Sequence, residues 1–316
     1  MNNRLFITRN SEIKFFAILV GALTLLLAIS FFIGFKTQKR DASIPSGVVS
    51  LPFQNLFLTA RAVYVYDVRT GTILFAKNED TRMPLASLTK IMSALVARDL
   101  SPMYGTVTIS GEALTAEGDS GLYRDEKWLL KDILDFSLLT SSNDGMRAVA
   151  LALGALSKAD ATPEESVNDF VGLMNVKAGE LGLLNTYFWN ETGLDLSDIK
   201  GGAYGSAEDM SILLEYILSR EPTLLEATKE ATTTLYSLND NLHVASNTNN
   251  LVSEIPGLKA SKTGFTDNAG GNLVVIFDPE LGRPIIITVL GSTGEGRFED
   301  MRALVSAVMK YITNKN

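Results

Sequence analysis

Three kinds of apolar spacing succeed one another along the chain. From Phe15 to Phe35 the residues run without a charge. At ~1.5 Å per residue such a run spans the ~30 Å hydrocarbon layer of a bilayer. It predicts a transmembrane anchor at 15–35 behind a tail at 1–14. Small residues at Ala28-Ile29-Ser30 would suit a signal peptidase, but the run continues through Phe31, Phe32, Ile33 and Phe35 to Lys36, which favours an uncleaved anchor. Arg4, Arg9 and Lys14 before the helix nearly balance Lys36, Lys39 and Arg40 after it, so charge leaves its orientation open. "DASIPSGVVSLP" then predicts a linker over 36–57, lifting a domain of residues 58–316 off the membrane.

Within that domain the β-rich runs "ARAVYVYD" and "GTILFAK" flank Val68-Arg69-Thr70-Gly71 and predict a hairpin. From Leu88 the spacing changes: Ile91, Met92, Leu95 and Val96 recur at the helical period, so Ser87 to Leu100 predicts the first helix. "WLLKDILDFSLLT" and "MRAVALALGAL" predict two more helices, interrupted by a turn at "SSNDG". "VNDFVGLMNVKAGELG" predicts a fourth, and "SAEDMSILLEYILSR" a fifth that opens with a capping-box signature at Ser206 and Asp209. Strand patterns return in "TTTLYSL", "LKASKTGF", "GNLVVIFD" and "RPIIITVLGS", before a closing helix around Phe298 to Ile312. Strands at both ends of a helical middle predict an α+β domain whose antiparallel sheet is assembled from the two ends.

Composition narrows the chemistry. Residues 1–40 hold six of the 28 basic and one of the 36 acidic residues, so the remainder carries 22 against 35, a formal charge of −13. Such a surface repels phosphate backbones, which argues against a nucleic-acid partner. With no cysteine and a single histidine, His243, a zinc site of the usual type is almost excluded. His243 lies in the alternating "NLHVAS" and reads as a strand residue rather than a base.

Three polar clusters interrupt the apolar pattern. Ser87 and Lys90, at i and i+3, flank a buried stripe; they read either as nucleophile and base or as a capping serine and a snorkelling lysine. The same spacing recurs at Ser11/Lys14 and Ser197/Lys200. Ser141-Ser142-Asn143 would serve equally as a turn or helix cap. Lys262-Thr263-Gly264 puts a cation and a hydroxyl at a strand edge, with Gly264 allowing close approach of a ligand backbone; edge residues that deter aggregation are the plainer reading.

The order Ser-x-x-Lys, Ser-x-Asn, Lys-Thr-Gly, each at a structural boundary, resembles the serine D-alanyl-D-alanine carboxypeptidases, the low-molecular-mass penicillin-binding proteins. The resemblance covers roughly residues 60–313. It extends to "YVYDVRTGTILFAKNEDTRMPLASLTKIMSALVA", "LLTSSNDG", "FVGLMNVKAGELGLLNTYFWNETGLD", "SAEDM", "NTNNLV", "KTGFTDNAGGNLV" and "GRFEDM". It implies a β-lactamase/transpeptidase-like fold, with a sheet flanked by helices and a mostly helical subdomain. It also implies a cofactor-free acyl transfer on peptidoglycan stem peptides ending in D-Ala-D-Ala, on the outer side of the cell membrane, with β-lactam antibiotics as inhibitors.

By that resemblance Ser87 is the nucleophile. Lys90, disfavoured as an ammonium by its position against the helix and near Lys262, is its base. Ser141 relays a proton to the departing amine, and Asn143 orients Lys90 and the substrate amide. Lys262 and Thr263 face the substrate carboxylate, backbone N–H groups of Ser87 and Phe265 form the oxyanion hole, and Arg297 helps hold the carboxylate. A class A-like β-lactamase would add an activating glutamate; Glu180, near Asn185, reads instead as a solvent-facing helix residue. Thr248, between Asn247 and Asn249, stands where relatives often carry a basic residue, which leaves a D-Ala endopeptidase as the nearer alternative. A cell-wall-binding relative without turnover is the more distant one. Relatives also often carry a C-terminal β-rich domain and anchoring helix, so anchoring here is expected to fall to residues 15–35.

Overall fold

The structure, a computed structural model, describes residues 51–157 and 160–314. The expected tail, membrane helix and all but the end of the linker lie outside the described residues, as does the Ser11/Lys14 pair. Among the described residues no helix is long and apolar enough to cross a membrane. Residues 51–57, expected to close the linker, already join the fold: Phe53 is buried and stacks on Phe75, 5.8 Å between ring centroids.

The predicted hairpin is β1 (Ala62–Asp67) and β2 (Thr72–Lys77); Gly71 takes φ +67° and the Asp67 carboxylate accepts from the Thr70 N–H. A short β3 (Met83–Pro84) leads into one 3-10 turn, Ala86–Leu88, and helix α1 (Thr89–Leu100). Strands β4 (Thr106–Thr108) and β5 (Lys127–Leu129) pair, followed by α2 (Leu130–Thr140), α3 (Asn143–Gly154) and α4 (Pro163–Glu180). Next come β6 (Tyr187–Phe188), β7 (Ala203–Gly205), α5 (Ala207–Arg220) and the hairpin β8 (Thr232–Tyr236) and β9 (Leu242–Ser246). The chain closes with β10 (Leu258–Thr266), β11 (Gly270–Phe277), β12 (Ile285–Ser292) and α6 (Gly296–Thr313).

The main sheet has the order β10-β11-β12-β1-β2, antiparallel throughout, so the two ends of the domain do build it. Its central strands read as unbroken apolar runs because the period of two feeds two cores. Val63, Val65, Val275 and Ile287 face Phe298, Met301, Leu304 and Val308 of α6. Tyr64, Tyr66, Val274, Ile276 and Ile286 face the opposite core, with Leu95, Met210 and Leu214 of the helical region. Each buried aliphatic side chain contributes about 1.5–3 kcal/mol. Thr288 also faces the helical side, where its hydroxyl meets Ser211 Oγ at 2.9 Å.

Three local expectations differ. Trp128 and Leu129 are strand, not helix: Leu129 is extended and Trp128 pairs with Val107, so packing overrides a helical period that both would satisfy. Ser206 caps α5 by accepting from Asp209 N, but the Asp209 carboxylate turns to Asn185 N and Thr186 Oγ1; the complete capping box is Thr162 with Glu165 on α4. In "SSNDG" only the two serines break the helix. Ser141 takes φ +63°, Ser142 caps α3 by accepting from Gly145 N, and Asn143 is already helical.

Candidate active site

Ser87 sits in the 3-10 turn that precedes α1. Ala86 is held at φ +48°, a left-handed conformation costing a non-glycine residue about 1–2 kcal/mol. The surroundings fix it. Asn272 Nδ2 donates to Pro84 O and Leu85 O at 3.0 Å each, Asn272 Oδ1 accepts from Gly291 N, and Thr89 Oγ1 caps Ala86 O at 2.7 Å. Two glycines let the neighbouring chain close on this turn. A Cβ on Gly193 would lie 1.9 Å from Ala86 O, and one on Gly264 would lie 3.0 Å from Leu85 O and 3.1 Å from Ser87 N. Gly264 therefore serves the close approach of β10 to the Ser87 turn.

Lys90 is fully buried rather than lying along the flank of α1. Its Nζ lies 2.8 Å from Ser87 Oγ, 2.7 Å from Asn143 Oδ1 and 2.9 Å from Thr192 O. An ammonium satisfies all three with its three protons. A neutral amine keeps two donors for Asn143 and Thr192 and turns its lone pair to the Ser87 hydroxyl, so the site accommodates both forms. Burial lowers the Lys90 pKa to about 7, against the opposing charge of Glu191. Lys262 is also held well below its ordinary value, by burial and then by the charges of Lys90 and Arg297.

Lys262 Nζ donates to Ser141 Oγ and to Thr263 O, both at 2.9 Å. The left-handed Ser141 ends α2 and lifts its hydroxyl toward β10, the edge strand of the main sheet. Asn143 is aimed by its other end: Nδ2 donates to Glu117 O at 2.6 Å, leaving Oδ1 for Lys90. Farther along β10, Thr263 Oγ1 lies 2.5 Å from Thr248 Oγ1, and Arg297 Nη1 donates to Gly264 O at 2.8 Å. The Arg297 guanidinium lies over the rings of Phe265, itself half exposed, and Phe298. The nine residues singled out in the sequence thus lie in one region, where side-chain hydrogen bonds join Ser87, Lys90 and Asn143 in one set and Ser141 with Lys262 in another.

Other candidates fall elsewhere. Ser197 and Lys200 form a tight turn with Lys200 Nζ over the Trp189 ring, and exposed Glu180 pairs with Lys177. His243 is buried on β9 against Glu126, 2.7 Å away, as its strand assignment requires. Among the described residues no group of His, Asp and Glu could hold a metal. Sequence reasoning missed Thr192 O, Glu117 O, Gly193, Asn272 and Glu191; two of these act through carbonyls, which leave no trace in residue type.

A family model for D-alanyl-D-alanine carboxypeptidase matches residues 52–294. The D-alanyl-D-alanine carboxypeptidase DacF of Bacillus subtilis is 32% identical over 217 residues, 66% of this chain and 52% of its own. The D-alanyl-D-alanine endopeptidase of Pseudomonas aeruginosa is 31% identical over 258 residues, 79% of this chain and 77% of its own. The chain thus spans about half the length of DacF. The structure is similar to the Streptomyces DD-transpeptidase, with TM-score 0.71, 26% identity and coverage of 80% of this chain and 97% of that one. It is also similar to a penicillin-binding protein of Listeria monocytogenes in an ampicillin-bound form, with TM-score 0.66, 30% identity and coverage of 80% and 98%. Most of the domain, including all three polar clusters, lies within the matched residues 52–294, and the chain belongs to the D-alanyl-D-alanine carboxypeptidase family.

Proposed function

We propose that this chain, held at the outer face of the cell membrane by residues 15–35, removes the terminal D-alanine from peptidoglycan stem peptides through an acyl-enzyme on Ser87, and that β-lactams acylate the same oxygen. The observation that carries this reading is the buried Lys90 Nζ at 2.8 Å from Ser87 Oγ. Neutral Lys90 takes the Ser87 proton as Oγ attacks the penultimate D-alanine carbonyl. The oxyanion is received by the N–H groups of Ser87 and Phe265. Ser141, hydrogen-bonded by Lys262, relays the proton taken by Lys90 to the leaving amine, so the amide C–N bond breaks, D-alanine departs and Lys90 is neutral again. Arg297 and Thr263 hold its carboxylate. Water then cleaves the Ser87 ester.

A D-Ala endopeptidase is the second reading, favoured by the Pseudomonas relative of that name and by the neutral Thr248 beside Thr263. The full-length chain in detergent, incubated with a fluorescent penicillin beside Ser87→Ala, tests the acyl-enzyme. A slowly lost label on Ser87 with free D-alanine released from a pentapeptide supports the carboxypeptidase. Release of cross-linked dimers without free D-alanine supports the endopeptidase, rapid drug turnover a β-lactamase, and an unlabelled wild type the cell-wall-binding relative without turnover.

A further inference from the structure

Behind Lys90, the helices that carry the motif residues each send a second side chain to the same loop. Ser93 follows Lys90 by three residues on α1, and Arg147 follows Asn143 by four on α3, so each pair shares a helix face. Lys90 Nζ donates to Thr192 O at 2.9 Å, and Ser93 Oγ donates to Glu191 O at 2.6 Å. Arg147 Nε donates to Glu191 Oε1 at 2.5 Å; the Glu191 side chain is fully buried, whereas Arg147 is 27% exposed. Glu191 Oε2 has no hydrogen-bond partner among the described residues. Residues 191–192 are thus gripped from two helices, and Gly193 presses on the nucleophile turn directly afterwards.

A buried carboxylate with one oxygen unpaired is costly. Arg147, partly in solvent, does not need it. The charges around the base give it a use. Lys262 comes from β10, Arg297 from α6, Arg147 and the buried Asp144 from α3, and exposed Glu117 and Asp119 from the loop over Asn143. Asp144 Oδ2 accepts from Ser120 N, and its Oδ1, like Glu191 Oε2, has no hydrogen-bond partner among the described residues; Glu191 differs in adjoining Thr192, whose carbonyl Lys90 holds. Lys262 is buried and both arginines are partly so, which leaves the buried carboxylates Glu191 and Asp144 as the opposing charges, and a general base works best when its proton affinity matches the working pH.

We propose that Glu191, gripped by Arg147 and Ser93, is a positioning residue that holds the Thr192 carbonyl on Lys90 and supplies the negative charge that keeps Lys90 basic enough to take the Ser87 proton. Glu191 itself transfers no proton; the proton passes from Ser87 Oγ to the lone pair of Lys90 Nζ. The inference rests on the acyl-enzyme reading above. It agrees with Glu191 being the group whose charge opposes the burial of Lys90.

The test measures Ser87 acylation by a fluorescent penicillin from acid to alkaline pH on the full-length chain. A second readout follows the Lys90 ammonium by NMR of protein labelled at lysine Cε, its signal identified by its loss in Lys90→Met. Glu191→Gln should move the acid limb and the NMR midpoint down together, by about one pH unit, and Glu191→Asp should return both most of the way. Arg147→Gln, which leaves the carboxylate uncompensated, should move them up, and decides the matter alone if Glu191→Gln does not fold. Unmoved midpoints, or a rate lowered equally at every pH, would overturn the proposal. An unlabelled wild type would sink the acyl-enzyme reading instead, while the NMR midpoints still decide the role of Glu191.

Discussion

Two buried polar clusters in this domain are built on opposite rules. At Glu126 every hydrogen bond has a complementary partner: Oε1 accepts from His243 Nε2 at 2.7 Å and Asn241 Nδ2 at 3.0 Å, and Oε2 accepts from Tyr123 N at 3.1 Å. Trp128, Phe136 and Tyr123 wall in the imidazole. Around Lys90 like charges are instead crowded together: Lys262 feels both Lys90 and Arg297, the hydrogen-bond partners of the two lysines are neutral oxygens, and the Glu191 charge opposes the burial of Lys90. The first arrangement stabilises a fold. The second keeps one lysine close to losing its proton, and its cost is borne by the packing that encloses it.

Substitutions should separate the two roles, and Lys90→Met should do so most sharply. Removing the base should slow Ser87 acylation about 1,000-fold. Stability should change by no more than about 1 kcal/mol, because relief of a buried charge offsets the loss of donors to Asn143 and Thr192. Fluorescent-penicillin labelling beside a thermal melt checks both; a Lys90→Met protein that melts far below the wild type would mean that this cluster, too, is chiefly structural. In the wild type the acylation rate should rise as pH passes about 7, where Lys90 becomes neutral.

Gly193→Ala should fall between the clusters. Its Cβ would displace Ala86 O from 1.9 Å, and φ +83° strains any side chain there. Misplacing the nucleophile turn by even part of an ångström should cost about 100-fold in acylation, with a melt lowered by about 1–3 kcal/mol of overpacking. An unchanged acylation rate would show that the turn is not held from this side.

The main sheet was legible because its strands read as short β-rich runs separated by turn residues and grouped at the two ends of the domain, and the motif residues were legible because side-chain types carry their chemistry. Other features were hidden for physical reasons. Thr192 and Glu117 act through carbonyls that any residue would offer. Arg147 and Glu191 lie 44 positions apart and each reads as a surface charge until the helices bring them together. Gly264 was recognised as a point of close approach, but which backbone approaches it depends on where β10 lies against the 3-10 turn. Trp128 fits a helical period as well as a strand, and its pairing with Val107 decides.

Glu126→Gln makes the smallest change and isolates the structural cluster. In either orientation a glutamine amide sets an N–H against a donor now satisfied: against Tyr123 N if the oxygen stays on His243 and Asn241, or against those two if it turns. Losing one buried hydrogen bond in this way should cost about 1–3 kcal/mol, with acylation by penicillin unchanged. The pH dependence carries a sign as well. Burial raises the Glu126 pKa, but the hydrogen bonds from His243, Tyr123 N, Asn241 and Ser237 outweigh it and hold the group below its ordinary 4.5. A carboxyl depressed on folding adds stability above its unfolded pKa and loses it as pH falls through the folded one. The wild-type advantage over Glu126→Gln in thermal melts should therefore be full at neutral pH and shrink below about pH 4.5. An advantage that stayed constant into acid would assign the loss to packing around His243 rather than to the charge of Glu126.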